Sequence, residues 1–401
     1  MDFDESPEDV AFRGEALAWL KENAEPAGPA TVRRAADDPE HVRACKDWQR
    51  TLADAGWAAI AWPKEYGGRG GTSREQSLFN QEQAKFAVST GVFAVGMGMA
   101  GPTLIAHGTD EQKERFLKPL LRGDEVWCQL FSEPGAGSDL AGLTTRAERD
   151  GDEFVVNGQK VWTSGAQHSD WAILLARTDW DAPKHKGLTY FVVDMRSPGI
   201  EVRPLKQING VAHFNEVFLT DVRIPAANVL GEINGGWGVA MTTLASERNF
   251  IGGGMGGVAF GDILDRVRKS GRTDDPVVRQ EVAAAFTRYE ILRYIGYRIQ
   301  TAAAQGRMPG PEGSILKLLY SDHVARNGDL GLAVEGAAGM LSGADAPDAG
   351  LWQQQFLTQW ATRIGGGTDE VQRNVVGERV LGLPAEARPD KYAPFRELVR
   401  N

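Results

Sequence analysis

The 401-residue sequence has little cysteine and no long uninterrupted apolar run. Its two cysteines, Cys45 and Cys128, cannot build a disulfide framework, and they show no metal-ligand spacing with the six histidines. Glycine or charge interrupts every apolar stretch before it reaches the length of a membrane-spanning helix. The sequence therefore predicts no metal centre and no membrane span, and reduced cysteines favour a cytoplasmic protein.

Basic charge is also scarce. The 44 Lys and Arg residues are outnumbered by 54 Asp and Glu, and the net charge of −10 disfavours nucleic acid as a partner. The first seven residues are acidic and lack the basic start and apolar run of a secretory signal. No G-x-S-x-G, H-E-x-x-H or Walker A lysine is found, which disfavours a hydrolase.

Three regions differ in their hydrophobic period. Residues 1–125 show helical spacing, residues 126–235 show strand-like alternation, and residues 236–401 are helical again. Helices are predicted at 8–22, 41–55 and 76–86 in the first region, and at 239–269, 276–305, 313–340 and 350–363 in the third. Because helices and strands are segregated, we predict an α+β fold with a helical bundle and a small barrel or sandwich, not a parallel doubly wound sheet. The formal G-x-G-x-x-G at 252–257 lies in a helical pattern and predicts no nicotinamide site.

The middle region contains a hairpin signal at Asn157-Gly158. These two residues separate the apolar run 154–156 from residues 159–162, and Asn-Gly suits a type I′ turn. Further strands are predicted at Trp171–Ala176, Leu188–Val193 and Val217–Ile224.

Two segments of the middle region carry candidate binding chemistry. In Gln129–Asp139, the small residues at 135–138 would let backbone amides approach a phosphate or a polar ring edge. In the second segment, Trp162 offers a flat face, and Thr163 and Ser164 offer hydroxyls, which suits a flavin. Each segment also has a plain structural interpretation, as an ordinary glycine-rich loop and as a core aromatic residue.

Two helical segments add further candidates. Glu247 lies between Leu244 and Phe250, where it is either partly buried against an apolar wall or a solvated charge near Arg248 or Arg288. In 363–374 a glycine triplet leads into a helix, for which Thr368 is a natural N-cap. The same glycines would admit a ligand close to the backbone.

Four motifs together resemble the acyl-CoA dehydrogenase family over nearly the whole chain. They are S-E-P-G-A-G-S-D, N-G-Q-K-x-W-T-S, F-N-E-V-F-x-x-D-V-R-I-P-x-x-N-V-L-G-E and G-T-D-E-V-Q-R-N-x-x-G-E-R-V-L-G-L-P. The resemblance implies an N-terminal all-α domain (1–125), a middle β-barrel (126–235) and a C-terminal four-helix bundle (236–401), with FAD between barrel and bundle. Members usually assemble as tetramers.

The resemblance also implies site residues and an activity. The cofactor would be held by the residues matching the family's flavin segments and by the glycine-triplet segment: Leu130, Phe131, Ser132, Trp162, Thr163, Ser164, Gly366 and Thr368. In substrate binding, Ser138 would meet the phosphate and pantetheine region of CoA, with Arg248 nearby. The expected reaction is FAD-dependent α,β-dehydrogenation of an acyl-CoA to the trans-2-enoyl-CoA, with electrons passed to an electron-transfer flavoprotein. The alternatives are an acyl-CoA oxidase that uses O2 and a non-catalytic subunit of a heteromeric dehydrogenase.

The sequence departs from the common family pattern at two places. Many members place the catalytic base in a Tyr-Glu-Gly-Thr motif, where this chain has Gly366, whereas a second group uses Leu-x-x-Glu-Arg, which makes Glu247 the predicted base. The Arg-x-x-Phe-Gly segment that usually holds a neighbour's FAD is not found. Either Arg272 or Arg279 serves instead in a homotetramer, or a related chain completes the site in an α2β2 assembly. The position of Arg272 near the expected place favours the homotetramer.

Overall fold

The computed structural model describes residues 6–27, 38–253, 260–304, 310, 312–387 and 389–398. The described residues up to Glu247, together with those from Ala387 onward, form one compact unit, which we call the first unit. Those from Arg248 to Glu386 form the second unit.

Five α-helices open the first unit: α1 Pro7–Asn23, α2 Pro39–Asp54, α3 Ser73–Gln83, α4 Gly101–His107 and α5 Asp110–Arg122. Hydroxyl residues begin several of them, because a hydroxyl before the first turn accepts a hydrogen bond from an otherwise unpaired amide. Thr72 and Thr109 each form a capping box with the Glu or Gln three residues later. The stacked rings of Trp57 and Phe79, 4.9 Å apart, lie in the apolar core between these helices. The helices predicted in this region are confirmed.

A curled seven-stranded sheet follows: β1 Trp127–Leu130, β2 Arg146–Asp150, β3 Glu153–Ser164, β4 Trp171–Arg177, β5 Leu188–Asp194, β6 Ile200–Leu205 and β7 Phe214–Pro225. The strand order is β1-β4-β2-β3-β7-β6, and β5 pairs with β4. β4 and β5 are the apolar, almost fully buried strands, so the core of this layer surrounds them. The three strands predicted at 171–224 are confirmed, whereas β1, β2 and β6 are short or charged and were not predicted.

The hairpin predicted at Asn157-Gly158 is wrong. β3 runs through both residues and pairs with β7 along most of its length. Gly158 serves close packing, because a Cβ there would lie 2.4 Å from Oγ1 of Thr145 on the neighbouring chain segment. Asn157 exchanges hydrogen bonds with Asp221 of β7. The real turn joins β2 to β3 at Gly151, whose φ of +62° suits glycine.

Six more α-helices follow among the described residues: α6 Gly236–Gly253, α7 Phe260–Lys269, α8 Pro276–Ala304, α9 Glu312–Glu335, α10 Leu351–Ile364 and α11 Asp369–Val375. The stretch predicted as one helix at 239–269 consists of α6 and α7, and residues 254–259 lie outside the described residues. Residues of α7, α8, α9 and α10 share one apolar core around the buried Trp352. The predicted helical bundle and the α+β class are therefore confirmed.

No helix in the described ranges combines the length and the apolar composition that a membrane span requires. Nor do those ranges contain a group of three or more His, Cys, Asp or Glu side chains that could hold a metal ion.

Candidate active site

The two segments assigned to a flavin from the sequence lie side by side in the first unit. Leu130 is the last residue of β1, and Phe131 follows it into the core, whereas Ser132 is half-buried. The backbone amide of Val161 in β3 donates to the carbonyl of Ser132 at 2.9 Å. One hydrogen bond therefore joins the end of the first segment to the start of the second.

A fully buried lysine lies beneath both segments. The Lys160 ammonium donates three hydrogen bonds of 2.9 Å, to the carbonyls of Phe131 and Leu175 and to Oε1 of Glu133. Because an ammonium has three protons, all of its donors are used. Lys160 therefore ties β3 to β4 and to the segment that follows β1.

The partner of this lysine is held as an ion. Oε1 of Glu133 accepts from the amide of Thr145 at 2.8 Å, and Oε2 accepts from the amide and hydroxyl of Thr144 at 2.7 and 2.9 Å. Burial alone would raise the pKa of Glu133, but the Lys160 charge and the hydrogen bonds from residues 144 and 145 outweigh burial and lower this pKa to about 2. The pair is thus ionised and fully hydrogen-bonded, as a buried ion pair must be to persist.

Trp162 occupies a strained position on a β-bulge. Its φ is +61°, in the left-handed region that bulky residues rarely adopt, and the pairing of β3 with β7 is irregular between Lys160 and Thr163. The side chain is 60% exposed, and its ring packs edge-to-face on Phe214 with the two ring centroids 5.9 Å apart. Such strain costs of order 1–3 kcal/mol and is typical of functional positions. Here it presents a large flat aromatic face outward.

The next residue carries an unused polar atom. Thr163 is buried, and its hydroxyl has no hydrogen-bond partner among the described residues, although its carbonyl accepts from Nδ2 of Asn215 at 2.9 Å. Ser164 beside it is exposed. A buried polar atom without a partner is costly, and a ligand atom would remove that cost. An exposed aromatic face next to an unpartnered hydroxyl fits the planar ring and polar edge of a flavin.

The glycine-rich loop after β1 is built on a tight turn. Glu133 and Ala136 exchange two backbone hydrogen bonds of 3.0 Å. Gly137 and Ser138 beyond the turn are exposed, and a Cβ at Gly137 would meet no atom within 4 Å. Packing within this unit therefore does not require glycine at 137, whereas close approach of a ligand to the backbone would.

The helix that carries Glu247 begins against the sheet. Gly236, the first residue of α6, lies so close to β5 that a Cβ would stand 2.6 Å from the backbone nitrogen of Tyr190. Glu247 itself is half-buried in the same helix. Glu247 is therefore not the fully solvated charge that was one of its two interpretations from sequence.

Three buried hydroxyls fix this helix further. Oγ1 of Thr243 lies 2.9 Å from the hydroxyl of Tyr190 on β5 and 2.9 Å from Oγ1 of Thr103 on α4. Burial raises the pKa of Tyr190, so its hydroxyl remains protonated. The ring of Tyr190 meets Phe131 edge-to-face at 5.7 Å. Tyr190 thus contacts both a flavin-assigned residue and the helix turn that precedes Glu247.

The second unit contains the glycine triplet. Gly366 and Gly367 have φ of +67° and +87°, and the carbonyl of Gly366 accepts from Nε2 of Gln372 at 3.0 Å. Thr368 caps α11 by accepting from the amide of Val371 at 3.2 Å. The N-cap interpretation of Thr368 is confirmed. The left-handed backbone at Gly366 disfavours any glutamate at this position.

Arg272 is engaged within its own chain. Its guanidinium donates to the carbonyl of Ala333 at 2.7 Å and to Oδ2 of Asp275 at 2.6 Å. The hydrogen bond from Arg272 lowers the pKa of Asp275, so this pair is charged. The side chain of Arg248 lies outside the described residues.

The structure thus brings together the two flavin-assigned segments, and it links them to the helix that carries Glu247. Sequence reasoning missed the residues that make these links: Lys160, Glu133, Tyr190, Thr243 and Thr103. Lys160 and Glu133 do lie inside the recognised motifs, so a charged residue two positions before Trp162 was an available signal. The three hydroxyl residues carry no local signal, because their partners are far apart in the chain.

Comparison with known proteins assigns a family to this arrangement. Three sequence models match in chain order: the N-terminal domain of acyl-CoA dehydrogenases at 6–124, the middle domain at 128–222 and the C-terminal domain at 234–381. The acyl-CoA dehydrogenase IpdE1 of Mycobacterium tuberculosis is 39% identical over 392 residues, which covers 94% of this chain and 98% of that protein.

Solved structures agree with the sequence models. A structure described as the Tcur3481–Tcur3483 steroid acyl-CoA dehydrogenase matches with a TM-score of 0.82 and 32% identity, covering 96% of this chain and 100% of the other. The ChsE4–ChsE5 complex from Mycobacterium tuberculosis matches with a TM-score of 0.78 and 30% identity, again over 96% and 100% of the two chains.

Proposed function

Since the chain belongs to the acyl-CoA dehydrogenase family, we propose that it oxidises an acyl-CoA thioester to the trans-2-enoyl-CoA with Glu247 as the base. Members of this family are FAD-dependent oxidoreductases that act on CH–CH bonds. The observation that carries the proposal is the path from Phe131 through Tyr190 and Thr243 to the helix of Glu247. It couples the flavin-assigned segment to the base.

The residues of the first unit supply the binding and proton chemistry. Trp162 and Thr163 would hold the flavin ring, whose bound form accepts the hydride lost from the β carbon. The α C–H bond of a thioester is weakly acidic, so its cleavage needs a carboxylate within hydrogen-bond reach. Glu247 takes this α proton, and Ser138 orients the CoA portion. Holding the α carbon against a fixed base contributes much of the rate.

For the acyl group, we propose a steroid-derived acid. This rests on the 32% identity to a protein described as a steroid acyl-CoA dehydrogenase, over nearly the full length of both chains. The test is a panel of straight-chain, branched, alicyclic and steroid-carboxyl CoA thioesters, mixed anaerobically with the FAD-loaded protein. The proposal requires loss of flavin absorbance and a product two hydrogens lighter, fastest with the steroid thioester. Equal or faster turnover of a straight-chain thioester would contradict the substrate class.

We propose that the electrons leave to an electron-transfer flavoprotein, because the relatives are named dehydrogenases. Hydrogen peroxide formed in proportion to product under air would instead indicate the oxidase alternative. A chain that takes up no FAD even when it is co-expressed with a related chain would indicate the non-catalytic subunit.

For the assembly, we propose an α2β2 heterotetramer rather than the homotetramer favoured from sequence. Arg272 was the expected diphosphate ligand, but its guanidinium is already bound to Asp275 and to the Ala333 carbonyl. Two of the matched structures carry paired designations, and one is described as a complex. The test is to express the chain alone and with a related chain, then measure mass and FAD content. A stable homotetramer with one FAD per chain would eliminate the heterotetramer.

A further inference from the structure

The C-terminal residues return to the first unit after the second unit ends. Residues 389–398 follow the stretch matched by the family sequence models, which ends at 381, and they pack on the loop between β4 and β5. The amide of Phe395 donates to the carbonyl of Ala182 at 3.0 Å, and the amide of Arg396 donates to that of Trp180 at 3.0 Å. An ion pair between Arg396 and Asp181 closes the contact. We call residues 389–398 the tail.

One path leads from the tail to the loop after Ser138 through an arginine. Phe395 is buried, and the guanidinium carbon of Arg177 lies 3.4 Å from its ring centroid. Arg177 is fully buried and donates to the carbonyl of Ala141 at 2.6 Å and to that of Leu143 at 3.2 Å. The Phe395 ring therefore covers the cation that holds residues 141–143.

A second path uses a lysine. Nζ of Lys184 lies 3.0 Å from Oδ2 of Asp139 and 3.2 Å from Oδ2 of Asp390 in the tail. Burial alone would lower the pKa of Lys184, but these two carboxylates outweigh burial and raise it, so the ammonium stays charged. The ring of His185, the next residue, contacts that of Trp237 in α6, with the ring centroids 4.9 Å apart. The same loop thus touches the helix that carries the base.

We propose that the tail is a clamp that holds the loop 135–143 in its thioester-binding conformation through Arg177 and Lys184. Phe395, Arg177 and Lys184 are then positioning residues for the CoA portion of the substrate. The proposal rests on the proposed function, in which Ser138 of this loop orients the CoA portion of the substrate. Both paths end on residues 139–143, directly after Ser138. Loss of the tail contacts therefore removes the support of the C-terminal half of the loop.

The test compares tail variants of the FAD-loaded enzyme with a control from the same segment. Phe395→Ala removes the first path and Lys184→Met the second, whereas Tyr392→Ala changes a tail residue that is 79% exposed. Binding of coenzyme A is measured by calorimetry, and hydrogen exchange of the amides at 135–143 is measured without ligand. Phe395→Leu serves as a milder change if Phe395→Ala does not fold.

We expect coenzyme A to bind about tenfold more weakly to Phe395→Ala and to Lys184→Met, with faster exchange at 135–143. FAD content and kcat at saturating substrate should stay near wild type while KM rises, because binding rather than chemistry is lost. Tyr392→Ala should match wild type in every measurement.

Two results would overturn the clamp. Unchanged coenzyme A affinity and unchanged exchange in folded, FAD-loaded Phe395→Ala would remove it while leaving the dehydrogenase function intact. Wild-type rates of hydrogen exchange at 135–143 in both Phe395→Ala and Lys184→Met would do the same, provided that the wild-type enzyme oxidises acyl-CoA. Absence of any acyl-CoA oxidation by wild type would instead reject the proposed function, and the assignment of the loop with it.

Discussion

Replacing Lys160 by methionine should release FAD and destabilise the first unit. Methionine fills similar volume but removes all three hydrogen bonds of the ammonium and leaves the Glu133 carboxylate buried without its counter-ion. Removing one partner of a buried pair costs about 3–5 kcal/mol. The three hydrogen bonds that Glu133 keeps from Thr144 and Thr145 favour the lower end, about 3 kcal/mol.

The assay separates the loss of the pair from a loss of packing. Urea unfolding of the FAD-free protein is followed by tryptophan fluorescence for wild type, Lys160→Met, Glu133→Gln and the double variant, and FAD affinity is measured separately by titration. The double variant should lose about 2 kcal/mol less free energy of unfolding than the two single variants lose together. The reason is that each single variant leaves one buried charge unpaired, whereas the double variant leaves none. Arg223→Met, which removes exposed ion pairs on the same sheet, is the control and should leave stability nearly unchanged. Additive single changes, or Lys160→Met with wild-type FAD affinity, would refute the reasoning.

Trp162→Gly should raise the stability of the FAD-free protein by about 1 kcal/mol in thermal unfolding, because glycine accepts the left-handed φ, and yet weaken FAD binding in a fluorescence titration. Thr243→Val should lower kcat with little change in FAD content, and Thr243→Ser should restore it, because only the hydroxyl binds Tyr190; equal activity of both variants would refute this. Glu133 has its pKa lowered from 4.5 to about 2, so its contribution to stability is complete above pH 4.5 and is lost as pH falls toward 2; Glu133→Gln should flatten that part of the unfolding profile.

Much of the fold was predictable because local signals and tertiary packing agree. The helices α1 to α3 have hydroxyl or carboxylate caps that can be seen in the sequence, and the buried strands β4 and β5 are continuous apolar runs. The hairpin predicted at Asn157-Gly158 failed because packing outweighed a local turn signal. Glycine is required at 158 by the close approach of Thr145, on a neighbouring segment of the same chain, and no short-range pattern reveals that contact. The charged strand β2 was missed for the converse reason, since most of its side chains are exposed.

For the candidate site, the sequence predicted individual residues but not the contacts between them. Motifs predicted which residues bind the flavin and which residue is the base, and the structure adds the contacts that these residues make. Tyr190 contacts Phe131 and Thr243, and Thr243 contacts Thr103. These residues are far apart in the chain, so no periodic pattern in the sequence predicts their contacts. Arg272 was matched to the family's FAD ligand by its position in the chain alone, whereas in the structure it pairs with Asp275, three residues later.

The central claim is that Glu247 removes the α proton, and a single-turnover measurement tests it most directly. FAD-loaded wild type, Glu247→Gln and the exposed control Glu232→Gln are mixed anaerobically with the best thioester of the panel, and the loss of flavin absorbance is followed by stopped flow. Removal of a general base lowers the rate by about 10²–10⁴-fold, so Glu247→Gln should bind FAD and thioester normally but reduce its flavin at least a hundredfold more slowly, while Glu232→Gln follows wild type. Flavin reduction in Glu247→Gln at the rate of wild type would contradict the account.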